Sequence, residues 1–230
     1  MKKGDIRKQD ILNTAEQLFC KNGYEQTSIH DILNNLQISK GSLYHHFIGK
    51  EALLEEICRR RAEKLYKTAS AFAAQTKTAT DHLNELMCGM IPFSDEKLSF
   101  LMMLLPVFRL PEGRTVRMAY CDAISDAFLP AVSLQLQSGH TSKELICTDC
   151  DITADMIISL VNRFWVQICT MVISAVEKNT PEDYSEYLRL TESYRHHIEQ
   201  LICLPYGTVR LIDIPTLGNI IEQIRNHWLH

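Results

Sequence analysis

Apolar residues recur at helical spacing along almost the whole of this chain. Ile11, Leu12, Ala15, Leu18 and Phe19 form one stripe, which predicts a helix from about Asp5 to Asn22, with Gly23 as its stop. Ile29, Ile32, Leu33 and Leu36 follow at i, i+3, i+4 and i+7, the face of a second, shorter helix. Thr27 or Ser28 can cap it, because a hydroxyl accepts a bond from an otherwise orphaned N–H. Gln37-Ile38-Ser39 breaks the pattern, and Ser39 can cap a third helix whose Leu43 and Phe47 face inward. The outer face of that helix carries Lys40, Gly41, Ser42, Tyr44, His45 and His46, which are small, hydroxylated, aromatic or basic. A short helix with an apolar anchor and such a face suits insertion into a DNA groove.

After Gly49 a long fourth helix is expected, from Lys50 to about Ala74, on Leu53, Leu54, Ile57, Cys58, Leu65 and Phe72. Arg59-Arg60-Arg61 lies on it and reads as a mostly solvated charge cluster, since three consecutive residues point in three directions around a helix. A polar, Thr-rich turn follows over Gln75 to Asp81. Three apolar segments come next. Leu83, Leu86, Met87 and Met90 lead to Pro92; Leu98, Leu101, Met102, Leu105 and Phe108 lead to Pro111; Val116, Tyr120, Ile124, Ala127 and Phe128 run toward Leu136. Pro92, Pro106 and Pro111 mark ends or kinks. Five of the eight methionines fall in this region, which fits either plain core or an adaptable apolar pocket. Gln137 to Ser142 reads as a loop.

Two further seams step alternately by four and three residues: Ile157, Val161, Phe164, Ile168, Met171 and Ala175, then Tyr184, Tyr187, Thr191, Tyr194, Ile198 and Leu201. Such heptad-like seams suit helix bundles, either inside one subunit or across a two-fold axis. Pro205-Tyr206-Gly207 ends the last of these helices. Thr208 to Ile214 reads as extended, and Leu217, Ile220, Ile221, Ile224 and Trp228 predict a final amphipathic helix that must bury its face somewhere.

The 230-residue chain carries a net charge of −4, which by itself argues against DNA. Its distribution changes the picture. Residues 1–67 hold twelve Lys/Arg against nine Asp/Glu, a net +3, and the remainder carries −7. The basic end is the end with the short capped helices, as a DNA-facing head on an acidic body requires. MKKGDIRKQD has no apolar core after its charges, so no secretory leader is expected, and no apolar run reaches membrane-spanning length. The eight cysteines then read as free thiols of a reducing cytoplasm. Cys147-Thr148-Asp149-Cys150 is a CxxC pair that could bind metal or cycle redox, although a zinc site needs four ligands and no second pair stands at a telling spacing. The alternatives are two inert thiols in a surface loop or a redox or metal sensor. No enzyme is expected: His45 and His46 adjoin no paired acid or nucleophile, and no Gly-rich phosphate loop occurs.

The stretch from Ala15 to Leu54, and above all TSIHDIL…ISKGSLYHHFIGKEALL, resembles the helix-turn-helix signature of the tetracycline-repressor (TetR) family of transcriptional regulators. Two departures stand out. The family usually has Gly in the turn where this chain has Gln37, and it favours small residues where Leu33 and Asn35 stand. The resemblance implies an all-α fold, with an N-terminal three-helix DNA-binding domain and a larger helical ligand-binding and dimerisation domain. On this basis the expected domains are residues 1–48, 49–205 and a C-terminal extension, 206–230. It implies a cytoplasmic homodimeric repressor that binds a double-stranded operator and a small-molecule effector, without a cofactor or metal. Carried over residue by residue, Thr27, Ser28, His45 and Lys50 contact phosphates. Lys40, Ser42 and Tyr44 face the groove, and Gly41 lets the backbone approach. An effector pocket is expected among Met87, Met90, Met102, Leu105, Phe108, Arg109, Tyr120 and Asn162. A dimer interface is expected on Phe164, Trp165, Ile168, Met171, Tyr187, Tyr194, Ile198 and Leu201.

Overall fold

The computed structural model describes residues 3–92, 105, 113–178 and 184–228, and all regular structure among them is helical. The helices are α1 (Lys3–Asn22), α2 (Ile29–Leu36), α3 (Lys40–Tyr44), α4 (Lys50–Ala73), α5 (Ala79–Met90), α6 (Gly113–Thr141), α7 (Cys150–Lys178), α8 (Tyr184–Leu201) and α9 (Ile214–Trp228). They fall into two compact units, residues 1–61 with 99–123 and residues 62–98 with 124–230.

The first unit is built on the stripe read from the sequence. Ile11, Leu12, Ala15 and Phe19 of α1, Ile32 of α2, Leu43 of α3 and Leu53, Leu54 and Ile57 of α4 are completely buried. Each large aliphatic side chain so buried contributes about 1.5–3 kcal/mol relative to exposure. Polar ties bind α4 to α1 around this core. Lys8 pairs with Glu56 at 2.9 Å, the Arg60 guanidinium donates to Asn13 Oδ1 at 2.9 Å, and Arg61 pairs with Glu16. The arginine run is therefore not a solvated cluster. Its three directions are used: Arg59 forks onto Glu56 along the helix, while Arg60 and Arg61 are half-buried against α1. The bonds from Arg59, with help from Lys8, hold the Glu56 carboxyl down at about 2.

In the second unit α7 is the central helix, with α5, α8 and α9 packed on it. It is long and apolar enough to cross a membrane, yet its apolar residues form the core of this unit. The heptad-like seams meet here. Phe164 of α7 lies 5.5 Å from Tyr194 of α8, ring centre to ring centre, and the Tyr194 hydroxyl donates to Gln167 Oε1 at 3.1 Å. Phe164, Trp165, Ile168, Tyr187 and Ile198 are all at most 3% exposed within one subunit. They are interior residues and not the dimer surface expected of them, because a heptad seam reports that a helix has a partner but not on which chain. Met171, Tyr194 and Leu201 remain half-buried.

The expected loop at Gln137–Ser142 is also displaced. Residues 137–141 are the last turn of α6, and the connection to α7 runs over residues 142–149. Gly139 stands there for contact and not for a turn. A Cβ on it would come within 2.8 Å of Leu145 Cδ2 and 3.0 Å of Ala79 Cβ.

The C-terminal segment packs back on its own unit. Leu217, Ile220, Ile221 and Ile224 of α9 are 1–2% exposed. The stretch before it has no ladder partner, so buried side chains take up its backbone groups. Asn84, in α5 and 2% exposed, donates to the Thr208 carbonyl at 3.0 Å and accepts the Arg210 N–H at 2.8 Å. Glu199 of α8, 1% exposed, accepts the Val209 N–H at 3.0 Å. We expect Asn84→Ala to lower stability by about 1–3 kcal/mol in urea unfolding, because it orphans two backbone groups at once. It should also speed exchange of the Arg210 amide hydrogen. An unchanged urea midpoint would show that Asn84 does not tether the segment.

Candidate nucleic-acid interface

The turn between α2 and α3 is set by local chemistry. Ser28 caps α2: its Oγ accepts the Asp31 N–H at 3.2 Å. The Asp31 carboxylate in return accepts the Ser28 N–H at 2.8 Å and the Ser28 hydroxyl at 2.7 Å. This is a reciprocal capping box, with Asp in the place usual for Glu. The Ser28 bonds hold the Asp31 carboxyl below the usual carboxylate range. Gln37 ends α2 in the left-handed conformation, φ 52° and ψ 44°, with its N–H on Asn34 O. Ser39 caps α3 by accepting the Ser42 N–H at 3.2 Å.

α3 is seated by Leu43, fully buried, and by Phe47 just beyond it, 5% exposed. That seat turns Lys40, Gly41, Tyr44 and His45 outward, with Ser42 and His46 half-buried beside them. The Lys40 ammonium lies 5.6 Å from the centre of the Tyr44 ring, and the His45 and His46 rings meet edge to face at 5.0 Å. A Cβ on Gly41 would meet only Ser39 Oγ, at 4.0 Å. Nothing in the fold requires glycine there.

Two of the expected phosphate contacts are placed differently. Thr27 is completely buried, its hydroxyl donates to Gly23 O at 2.8 Å and its N–H to Tyr24 O at 3.2 Å. It locks the turn after α1 and has no donor left for DNA. Its place beside a cap residue gave it the wrong face in the sequence reading. Lys50 lies over the Tyr24 ring at 4.1 Å and is 3.4 Å from the Glu25 carbonyl. Tyr24 was missed from the sequence. It is 6% exposed, packs edge-on to Phe19 at 5.1 Å, and seats the Lys50 cation. A lone Tyr after the stop glycine was its only signal.

Of the expected effector-pocket residues, Met102, Phe108 and Arg109 lie outside the described residues. Met87, Met90 and Leu105 are completely buried, and Tyr120 nearly so. Asn162 is spent internally, accepting the Trp165 indole N–H at 3.1 Å and reaching Ser125 Oγ at 3.4 Å. Among the described residues no group of three His, Cys, Asp or Glu side chains could hold a metal ion.

Residues 11–57, which span α1 to the start of α4, match the family model of bacterial regulatory proteins of the tetR family. The head of this chain is thus similar in sequence to that of tetR-family regulators. The same head is 44% identical over 54 residues to the transcriptional regulator UidR of Escherichia coli K12, a match covering 24% of this chain and 28% of UidR. It is 34% identical over 80 residues to the transcriptional repressor KstR2 of Mycolicibacterium smegmatis, covering 35% of this chain and 38% of KstR2. These matches thus span well under half of either relative. The fold extends the likeness to the whole chain. Salmonella enterica GusR superposes with a TM-score of 0.53 at 16% identity, over 98% of this chain and 97% of GusR. Bacillus subtilis FadR, solved with stearoyl-CoA, gives 0.53 at 17% identity, over 88% of this chain and 99% of FadR.

The Gln37 turn makes this tetR-like head testable. A non-glycine residue in the left-handed region costs roughly 1–2 kcal/mol, more when β-branched. We expect Gln37→Gly to raise the stability of the head by up to about 1 kcal/mol and Gln37→Val to lower it by a similar amount, read by thermal unfolding. If Gln37→Val unfolds at the same temperature as the parent, the turn carries no strain.

Proposed function

We propose that this chain is a dimeric transcriptional repressor that binds a near-palindromic operator and leaves it when a small apolar effector binds. One observation carries this reading: the outward face of α3, with Lys40, Gly41, Tyr44 and His45 exposed over a buried Leu43. Lys40, Ser42 and Tyr44 read the major groove, and His45 and Ser28 approach phosphates from either side. Lys suits guanine and Ser several bases, so readout is shared with DNA shape. The basic balance of residues 1–67 supports the same orientation toward DNA. Two such helices on a two-fold dimer would enter successive major grooves about 34–36 Å apart.

The dimer reading now uses a different surface from the buried seams. α7 carries Ile152 and Met156 exposed, 61% and 45%, and Leu160 and Met171 half-buried along the same side. An exposed apolar stripe on the core helix of the unit is what a second copy of the chain would cover. The effector reading is supported by FadR, whose structure holds stearoyl-CoA. A differential affinity worth about 1–3 kcal/mol between two head spacings is enough to release DNA. Such a regulator works in the cytoplasm and performs no catalysis of its own.

Mobility shifts on the DNA flanking the gene test the recognition face. Tyr44→Ala should abolish the specific shift with the helical fold intact. Gly41→Ala should weaken operator binding at least tenfold while leaving the unfolding temperature unchanged, since the fold has room for the methyl but a groove would not. Unchanged operator affinity in both variants would remove α3 from the interface. Met156→Glu should shift the protein from dimer to monomer in analytical ultracentrifugation. A Met156→Glu protein that stays dimeric would place the interface elsewhere.

A further inference from the structure

Cys147 and Cys150 lie outside the helix-turn-helix and outside the two heptad-like seams. Their sulfurs lie 2.8 Å apart, within an ångström of the roughly 2.05 Å of a disulfide bond. Both are free thiols here. Their backbones are already held in place from both sides. The Ile146 N–H donates to the Ile202 carbonyl at 3.0 Å, and the Cys147 N–H to His140 Nδ1 at 3.4 Å. Between the two cysteines, Asp149 caps α7: its carboxylate accepts the Asp151 and Ile152 N–H groups at 3.0 and 2.9 Å, and its carbonyl accepts the Thr153 N–H at 2.9 Å. The pair therefore straddles a hydrogen-bonded helix cap, with its two sulfurs already close together. Exposure differs between them. Cys147 is 5% exposed, and Cys150, at the first position of α7, is partly open to solvent. Burial, with the bond to Cys150, pushes the Cys147 thiol up to about 12, so it waits protonated.

We propose that Cys147 and Cys150 are an oxidative modification site, closing to a reversible intramolecular disulfide over the cap of α7. The chemistry is thiol–disulfide exchange with a small disulfide such as oxidised glutathione. The more accessible Cys150 loses its proton to solvent, and its sulfur attacks one glutathione sulfur, expelling the first glutathione thiolate and leaving a mixed disulfide. Cys147 then loses its proton to solvent, and its sulfur attacks the Cys150 sulfur and expels the second glutathione thiolate. Two protein thiols are oxidised, one glutathione disulfide is reduced to two thiols, and no other reactant is needed. The disulfide ties the first turn of α7 to the end of α6 through the segment between them.

The inference is independent of the DNA-binding reading, and its test uses none. The purified full chain is equilibrated in glutathione buffers of rising oxidised fraction, alkylated and mapped by peptide mass. The expected product is a peptide linking Cys147 to Cys150, two hydrogens lighter than the reduced form and restored by dithiothreitol. Cys147→Ser should trap glutathione on Cys150, and Cys150→Ser should leave Cys147 a free thiol. Retention of both thiols at full oxidation would overturn the proposal, as would glutathione on exposed Cys203 with no link between Cys147 and Cys150. The wild-type map decides the matter even where a serine variant folds poorly.

Discussion

A five-residue helix cannot hold itself together in water, so α3 exists because Leu43 and Phe47 are buried. Its own turn makes too few backbone bonds to offset the entropy of ordering it. The remainder of the first unit serves that seat. The stripe on α1, Ile32 of α2 and the start of α4 supply the apolar walls, and Ser28, Gln37 and Ser39 set the angles at which the chain enters and leaves. Because two inward side chains carry the placement, the outward residues are released from any structural duty. Gly41 shows this most clearly, since its surroundings would accept a methyl group.

The second unit solves a different problem, which is how to close a segment that has no ladder. Residues 208–213 run without regular structure, and their backbone groups would be costly to bury unpaired. Asn84 and Glu199 supply the missing partners from α5 and α8. Polar residues buried for this purpose look functional in a sequence. Thr27 and Asn162 satisfy their own chain instead, and Arg60 and Arg61 bind α1 where a solvated cluster was expected.

Much of the head was legible because its signals are local. Cap residues, a stop glycine and an i, i+3, i+4 stripe each act within a few residues, so α1 to α4 stand where the pattern put them. A hydroxyl cap on α2 was readable for the same reason, while the structure decided that Ser28 and not Thr27 supplies it. Where the sequence reading went astray, the deciding atoms were distant in the chain. Gly139 lies within a helix where Ala79 and Leu145 leave no room for a side chain, and Lys50 turns to Tyr24.

The sequence by itself determined the all-helical class and the helix-turn-helix, because periodicity and capping are properties of neighbouring residues. Only the tertiary structure decided what each apolar face buries against. The seams on α7 and α8 are identical in pattern whether they close one subunit or join two, and only packing shows Phe164, Trp165 and Ile198 to be interior. It likewise brought the Cys147 and Cys150 sulfurs to 2.8 Å, a distance that a CxxC spacing permits but does not impose. Burial depends on contacts between residues far apart in the chain, and those contacts exist only once the chain has folded.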